Sequence, residues 1–123
     1  MSNITLNTQV YNGDGVQPNG ISRWTNRLGG IVSAFKTLTA SVRTSPKARS
    51  VINWKLVHPF PETAPTDCPC DGALPYQDTI VNVEFRFDPR ADTAYRTAVR
   101  LAVKDLLAAS QMTDSVDNLN LPT

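Results

Sequence analysis

The sequence predicts an α+β fold built on an antiparallel sheet, and three observations carry that prediction. Strict apolar/polar alternation recurs in segments up to residue 87, helical spacing is confined to the residues after it, and turn-forming residues separate the strands. Strands first and helices last favour antiparallel pairing over the alternating order of a parallel sheet.

Residues 4–11 (ITLNTQVY) predict a first strand, and Asn12-Gly13-Asp14-Gly15 predicts the turn after it, since asparagine and glycine tolerate positive φ. A partner segment follows, broken by Pro18 and Gly20, and Gly29-Gly30 precedes a second β-rich region. In residues 37–43, Leu38, Ala40 and Val42 point one way and Thr37, Thr39, Ser41 and Arg43 the other. Ser45-Pro46-Lys47 makes a turn into residues 51–58, where Ile52, Trp54 and Leu56 oppose Asn53 and Lys55. The segment from Pro59 to Pro75 holds five prolines and cannot form regular structure, so it is either a functional loop or a disordered one. Residues 79–87 predict the longest strand, with Val81, Val83, Phe85 and Phe87 on one face and Ile80, Asn82, Glu84 and Arg86 on the other.

Asp88-Pro89 predicts the start of a helix running to about Ala109, Asp88 capping free N–H groups. Ala94, Tyr95, Ala98, Val99, Ala102 and Leu106 recur at helical spacing, and Arg96, Arg100 and Lys104 form a basic stripe. Thr113 and Asp114 predict the cap of a short second helix over Asp114–Leu119. The first helix, about 19 residues, is roughly 28 Å long and covers a broad apolar sheet face poorly. Helices from a second subunit would complete that cover, so an obligate dimer is expected.

The length of 123 residues suits a single domain. Its parts read as an N-terminal hairpin region (1–35), a main sheet (36–87) with a long loop at 59–75, and helices with a tail (88–123). With 41% apolar and 19% charged residues the composition is globular, and no apolar run is long enough to span a bilayer as a helix. The first twenty residues lack the basic start and apolar core of a cleaved signal, which predicts an intracellular product. The net charge of +1 conceals an asymmetry. Residues 1–60 carry seven basic residues against Asp14 alone, a net +6, and residues 61–123 carry five basic and ten acidic, a net −5. Such a chain can present one basic surface, although clustered solvated charges look the same in sequence.

Catalytic signals are nearly absent. The single histidine, His58, falls on the apolar face beside Pro59 and reads as a packed strand-end residue rather than a base. There is no phosphate-binding glycine loop, dinucleotide motif or H-E-x-x-H run. Asp67 and Asp71 are weak evidence for a metal, and two cysteines without histidines make no closed zinc site. No catalytic residue, metal ligand or cofactor is assigned. In Cys68-Pro69-Cys70 one proline separates the thiols, too close for the usual zinc or redox spacing and strained for a mutual disulfide. Pairing with cysteines of another molecule and two free thiols both stay open.

The polar sheet face is the most informative feature. Thr39, Ser41, Arg43, Asn53, Lys55, Asn82, Glu84 and Arg86 come from three strands and can share one surface. Hydroxyls and amides there suit base edges, and Arg43 and Lys55 suit phosphates. A solvated outer face has the same alternation, so patterning alone leaves both readings standing.

Four segments go further: TASVRTS at 39–45, WKLVHP at 54–59, NVEFRF at 82–87 and the tail LLAASQMTDSVDNLNLPT at 106–123 with its D-x-x-D-N-L-N ending. In this order, over nearly the whole chain, they resemble the coat proteins of the small single-stranded RNA bacteriophages, the leviviruses. The resemblance implies an interlocked homodimer in which two sheets join edge to edge and each subunit's helices cover the other's sheet. It implies closure of dimers into an icosahedral shell around genomic RNA, and translational repression by binding an RNA hairpin. A maturation protein is a further implied partner, the virion the implied location, and the bacterial cytoplasm the implied place of assembly, with no membrane involved.

Residue by residue, the resemblance matches Thr39, Ser41, Asn53 and Lys55 to an adenine pocket, Arg43 and Ser45 to backbone contacts, and Asn82 and Glu84 to positions near an unpaired loop base. It places 59–75 around the shell's symmetry axes and makes Cys68 and Cys70 candidates for inter-subunit disulfides. One departure is Ile80, where the family often has a tyrosine that stacks on the loop base; loss of that platform removes ~1–3 kcal/mol of stacking. Asn53 also differs from the small polar groups of other members, which bears on pocket selectivity. A dimeric RNA-binding regulator that forms no shell is the alternative function.

Overall fold

The computed structural model describes residues 1–27, 35–59 and 78–121. The expectations for Gly29-Gly30, for the loop beyond Pro59, and for Asp67, Cys68, Cys70 and Asp71 fall outside the described residues. The elements are β1 (Ile4–Leu6), β2 (Gln9–Val16), β3 (Ser22–Asn26), β4 (Lys36–Arg43), β5 (Ser50–His58), β6 (Thr79–Phe87), α1 (Thr93–Ala108) and α2 (Ser110–Asn118). The six strands lie in one antiparallel sheet in sequence order, with β1 and β6 at its edges. The chain divides into two compact units, Met1–Arg86 and Phe87–Thr123.

In the first unit, β4, β5 and β6 lie within a residue of their predicted bounds. The N-terminal region differs from expectation. The chain reverses at Asn7-Thr8, whose φ angles of 47° and 66° make a two-residue hairpin loop between Leu6 and Gln9. Asn12-Gly13-Asp14-Gly15 lies inside β2 instead of forming the turn. Its pairing with β3 steps from Gly13–Trp24 to Gly15–Arg23, so Asp14 is the extra residue of a bulge. Gly15 has the positive φ, 90°, that the bulge requires, and a Cβ on Gly13 would stand 2.8 Å from the Met1 carbonyl oxygen. These glycines serve a bulge and a close approach. The β2–β3 reversal falls at Pro18-Asn19-Gly20, closed by the Gly20 N–H donating to the Gln17 carbonyl at 2.8 Å.

The apolar face carries the core. Tyr11, Trp24 and Leu38 are buried, with Ile4, Leu6, Ala40, Trp54 and Leu56 packed against them. The Trp24 and Trp54 rings stack at 5.5 Å, and the Trp24 indole N–H donates to the Ser2 carbonyl, drawing the N-terminal arm onto the core. His58 lies on this face, as its position in the alternation predicts. Its Nε2 is 2.8 Å from the Tyr11 hydroxyl in a hydrogen bond between β2 and β5.

In the second unit, α1 ends at Ala108, near the predicted limit, but begins at Thr93 with Asp92 as its cap. The Asp92 carboxylate accepts the Tyr95 N–H at 2.8 Å, whereas Asp88 folds its own turn by accepting the Arg90 N–H at 2.9 Å. The second helix starts at Ser110, four residues before the predicted Asp114, with Ala109, extended at ψ 144°, as the single residue between the two helices. Leu119 ends it in the left-handed conformation, φ 56°. The Asp114 carboxylate accepts side-chain N–H groups of Asn118 and Asn120, giving the tail motif a local structural role. Neither helix buries a residue, and Tyr95, Leu106, Leu107 and Val116 are all exposed.

Candidate nucleic-acid interface

The strand ladders bring the alternating polar residues of β3, β4 and β5 onto one surface. Thr39 faces Lys55 and Ser41 faces Asn53 across the β4–β5 pair. Directly opposed residues hold their Cβ atoms about 4.5–5.5 Å apart, so these four side chains form one patch. Arg43 extends it along β4 opposite Val51, and is exposed. Ser45 lies just beyond the strand, where its Oγ accepts the N–H groups of Lys47 and Ala48 and so shapes the turn into β5.

Asn82 and Glu84 occupy exposed positions of β6, the strand beside β5. Glu84 pairs with Arg86 at 3.2 Å, which partly neutralises that end of the face. Ile80 is exposed on the same strand. Lys55 and Arg43 have no carboxylate partner among the described residues. The Asn53 side-chain oxygen is buried and has no hydrogen-bond partner among the described residues. A buried unpaired acceptor is costly, and a ligand N–H would satisfy it.

A second cluster on this face has no counterpart among the residues singled out from sequence. Asp14, projected by its bulge, accepts the Thr25 hydroxyl, Arg23 Nε at 3.2 Å and Arg27 Nη2 at 2.9 Å. The Thr25 hydrogen bond first, then the two guanidinium groups, hold the Asp14 carboxyl below its ordinary value while burial works the other way. Arg23 stands directly across β3–β4 from Thr39, so Arg23, Thr39 and Lys55 form one row over three strands. The alternation of Arg23-Trp24-Thr25-Asn26-Arg27 carries the signal, but the turn-like composition of Asn12-Gly13-Asp14-Gly15 conceals Asp14 as the partner. An open cleft of about 620 Å³ lies over this row, walled by the β2–β3 turn. Cys68 and Cys70 are outside the described residues. Among those residues no group of three or more His, Cys, Asp or Glu is placed to hold a metal ion. The arrangement is suited to binding an anionic polymer with exposed hydrogen-bonding edges.

A sequence model described as levivirus coat protein matches residues 2–122. The chain belongs to the levivirus coat protein family. As a levivirus coat protein it is a structural capsid protein, a virion component and not an enzyme. The fold agrees with that of solved coat structures at low sequence identity. A chain from the virus-like particle of bacteriophage ESE058 superposes with a TM-score of 0.79 at 17% identity, over 98% of this chain and 97% of the other. One from the virus-like particle of Beihai levi-like virus 21 gives 0.78 at 16% identity, covering 98% and 95%. One from bacteriophage NT-214 gives 0.76 at 16%, covering 98% and 93%. No curated protein sequence matches the chain.

Proposed function

We propose that this coat protein assembles through a homodimer into a closed icosahedral shell, packages single-stranded genomic RNA against its polar sheet face, and uses that face to bind an RNA hairpin as a translational repressor. The observation that carries RNA binding is the patch Thr39–Lys55 and Ser41–Asn53, in which, among the described residues, the lysine has no carboxylate partner and the buried Asn53 amide oxygen has no donor. The hydroxyls and amides of the patch suit base edges, and Lys55 and Arg43 suit phosphates. Asn82 and Glu84 contact the RNA from β6, and Ser45 from the β4–β5 turn. Ile80 offers no aromatic platform, so the hairpin is held more by the pocket and by phosphates than by stacking.

Two features support the dimer. Strand β6 spans nine residues at the sheet edge, with no further strand beyond it among the described residues, and such an edge pairs readily with a second copy. The apolar stripes of the helices are exposed in the isolated chain, at 58% for Tyr95 and 53% for Leu106, and the partner's sheet supplies their cover. The virus-like particles of the structural relatives support closure into a shell. Cys68 and Cys70 crosslink neighbouring dimers, a maturation protein joins the shell, and assembly takes place in the bacterial cytoplasm.

Expression of the full chain in bacteria, followed by size exclusion and electron microscopy of the early peak, tests this reading. Uniform shells tens of nanometres across with nucleic-acid absorbance are expected. A soluble dimer that binds RNA at every concentration and salt tried would replace it with a regulator that forms no shell.

A further inference from the structure

We infer that Asn19-Gly20, in the β2–β3 turn, is a site of spontaneous covalent modification, at which the folded chain converts its asparagine to isoaspartate and aspartate and so places a carboxylate on the rim of the basic face. The sequence holds two Asn-Gly pairs, Asn12-Gly13 and Asn19-Gly20. In each, the glycine amide nitrogen can attack the side-chain carbonyl carbon of the asparagine with no Cβ in the way. The N–Cγ bond forms, the Cγ–Nδ2 bond breaks and ammonia leaves, giving a five-membered succinimide. Water then opens the ring at either of its carbonyls. The pair loses ammonia, gains water and acquires one carboxylate, with no change of oxidation state.

The fold separates two pairs that their composition leaves equal. Asn12 and Gly13 lie in the β2–β3 ladder opposite Thr25 and Trp24. The Gly13 N–H donates to Asn3 Oδ1 at 3.2 Å, and a Cβ on Gly13 would stand 2.8 Å from the Met1 carbonyl oxygen. That nitrogen is held between β3 and the N-terminal arm, and its backbone cannot bend into a ring without opening the ladder. Asn19 is exposed, Gly20 has a φ of 80°, and nothing lies within 4 Å of the place a Gly20 Cβ would occupy, so a ring has room. Asn19 Oδ1 accepts the Ile21 N–H at 3.1 Å, an Asx turn that folds the side-chain carbonyl back along the main chain past the Gly20 nitrogen. Among the described residues, that nitrogen is restrained by its 2.8 Å bond to the Gln17 carbonyl, in an exposed turn of the kind that opens locally at small cost. Asn19 lines the same cleft as Arg23 and Lys55, so the new carboxylate stands beside two cations and removes one unit from the chain's net charge of +1. The effect of that charge on binding rests on the RNA-binding reading of the face, whereas the modification itself does not.

The test holds the full-length protein in warm, mildly alkaline buffer, with and without denaturant, and samples it over days. Trypsin releases residues 1–23 as one peptide containing both pairs, so fragment masses locate the amide-to-acid change and isoaspartyl methyltransferase labels the rearranged product. In the folded protein Asn19 should convert while Asn12 lags at least about tenfold, as protection by a strand ladder implies. In denaturant the two rates should converge. Equal rates in the folded protein, faster change at Asn12, or an Asn19 that keeps its amide when folded and loses it when unfolded would each overturn the site. Asn19→Asp carries the charge without the rearranged backbone and should weaken binding to an unstructured single-stranded RNA about two- to fivefold. If Lys55→Ala weakens that binding and Asn19→Asp matches the parent, the charge effect is overturned and the modification stands. If Lys55→Ala also matches the parent, the RNA-binding face fails, and the peptide masses still decide the modification.

Discussion

The Tyr11 hydroxyl and Nε2 of His58, 47 positions apart in sequence, are 2.8 Å from each other in a hydrogen bond on the buried side of the sheet. Tyr11 is 1% exposed, and its ring lies roughly parallel to the imidazole at 6.5 Å. The contact ties β2 to β5 across the two strands between them. It also gives the chain's single histidine a structural role.

Tyr11→Phe keeps the ring and leaves the His58 nitrogen without this partner, so urea unfolding should show a loss of about 1–2 kcal/mol. Tyr11→Ala adds a cavity and should cost about 3–5 kcal/mol. Equal stability of Tyr11→Phe and the parent would remove the hydrogen bond from the account of the core.

The Asp14 carboxyl lies below its ordinary value of 3.8 because Thr25, Arg27 and Arg23 donate to it. A carboxylate whose folded value is lower than its unfolded one stabilises the fold above the unfolded value, and that stabilisation is lost as pH falls through the folded one. The contribution of Asp14 is therefore complete at neutral pH and declines below about pH 3.8. In Asp14→Asn this part of the acid dependence should disappear, so the stability–pH curve should flatten on the acid side. Parallel acid limbs for the two proteins would contradict the cluster.

The two candidate caps of α1 are separable. Asp92→Ala removes the acceptor of the Tyr95 N–H and should cost about 1 kcal/mol with loss of helical circular dichroism at the first turn. Asp88→Ala removes an exposed turn bond and an ion pair with Arg90 and should cost less, within about 0.5 kcal/mol. The reverse ranking would return the helix start to Asp88.

Arg43 and Lys55 differ in setting but share a lack of carboxylate partners among the described residues. Replacing both with alanine should weaken binding to any single-stranded RNA and lower the salt slope by about 1.4, at roughly 0.7 for each lost phosphate contact. A filter-binding series from low to moderate salt reads both quantities. An unchanged slope would mean that phosphates lie elsewhere.

Much of the sheet was legible in the residues themselves. In β4, β5 and β6 the apolar and polar side chains alternate without interruption, and alternation is a local property that the pleated backbone converts directly into two faces. Thr39, Ser41, Asn53 and Lys55 could therefore be grouped before any pairing was known, and the β4–β5 register brings those four together. The levivirus resemblance was legible for the same reason, since its motifs sit on these strands and on the tail. The relation of Arg23 to Thr39 was not legible, because it depends on the β3–β4 register and on a bulge two strands away.

What the sequence by itself determined was the class of fold, the limits of the three main strands, the position of His58 on the apolar side and the polar character of the opposite face. Each follows from periodicity and residue type within a few positions. Tertiary structure decided the rest. Asn12-Gly13-Asp14-Gly15 has the composition of a turn, but Asp14 gains three donors from β3 and the residue following it only when the segment stays in the sheet as a bulge. Asp88 beside Pro89 has the composition of a helix cap, but the structure gives that role to Asp92, whose carboxylate accepts the Tyr95 N–H. Local preference offers more than one conformation at such places, and the choice falls to hydrogen bonds with residues that the linear chain keeps apart.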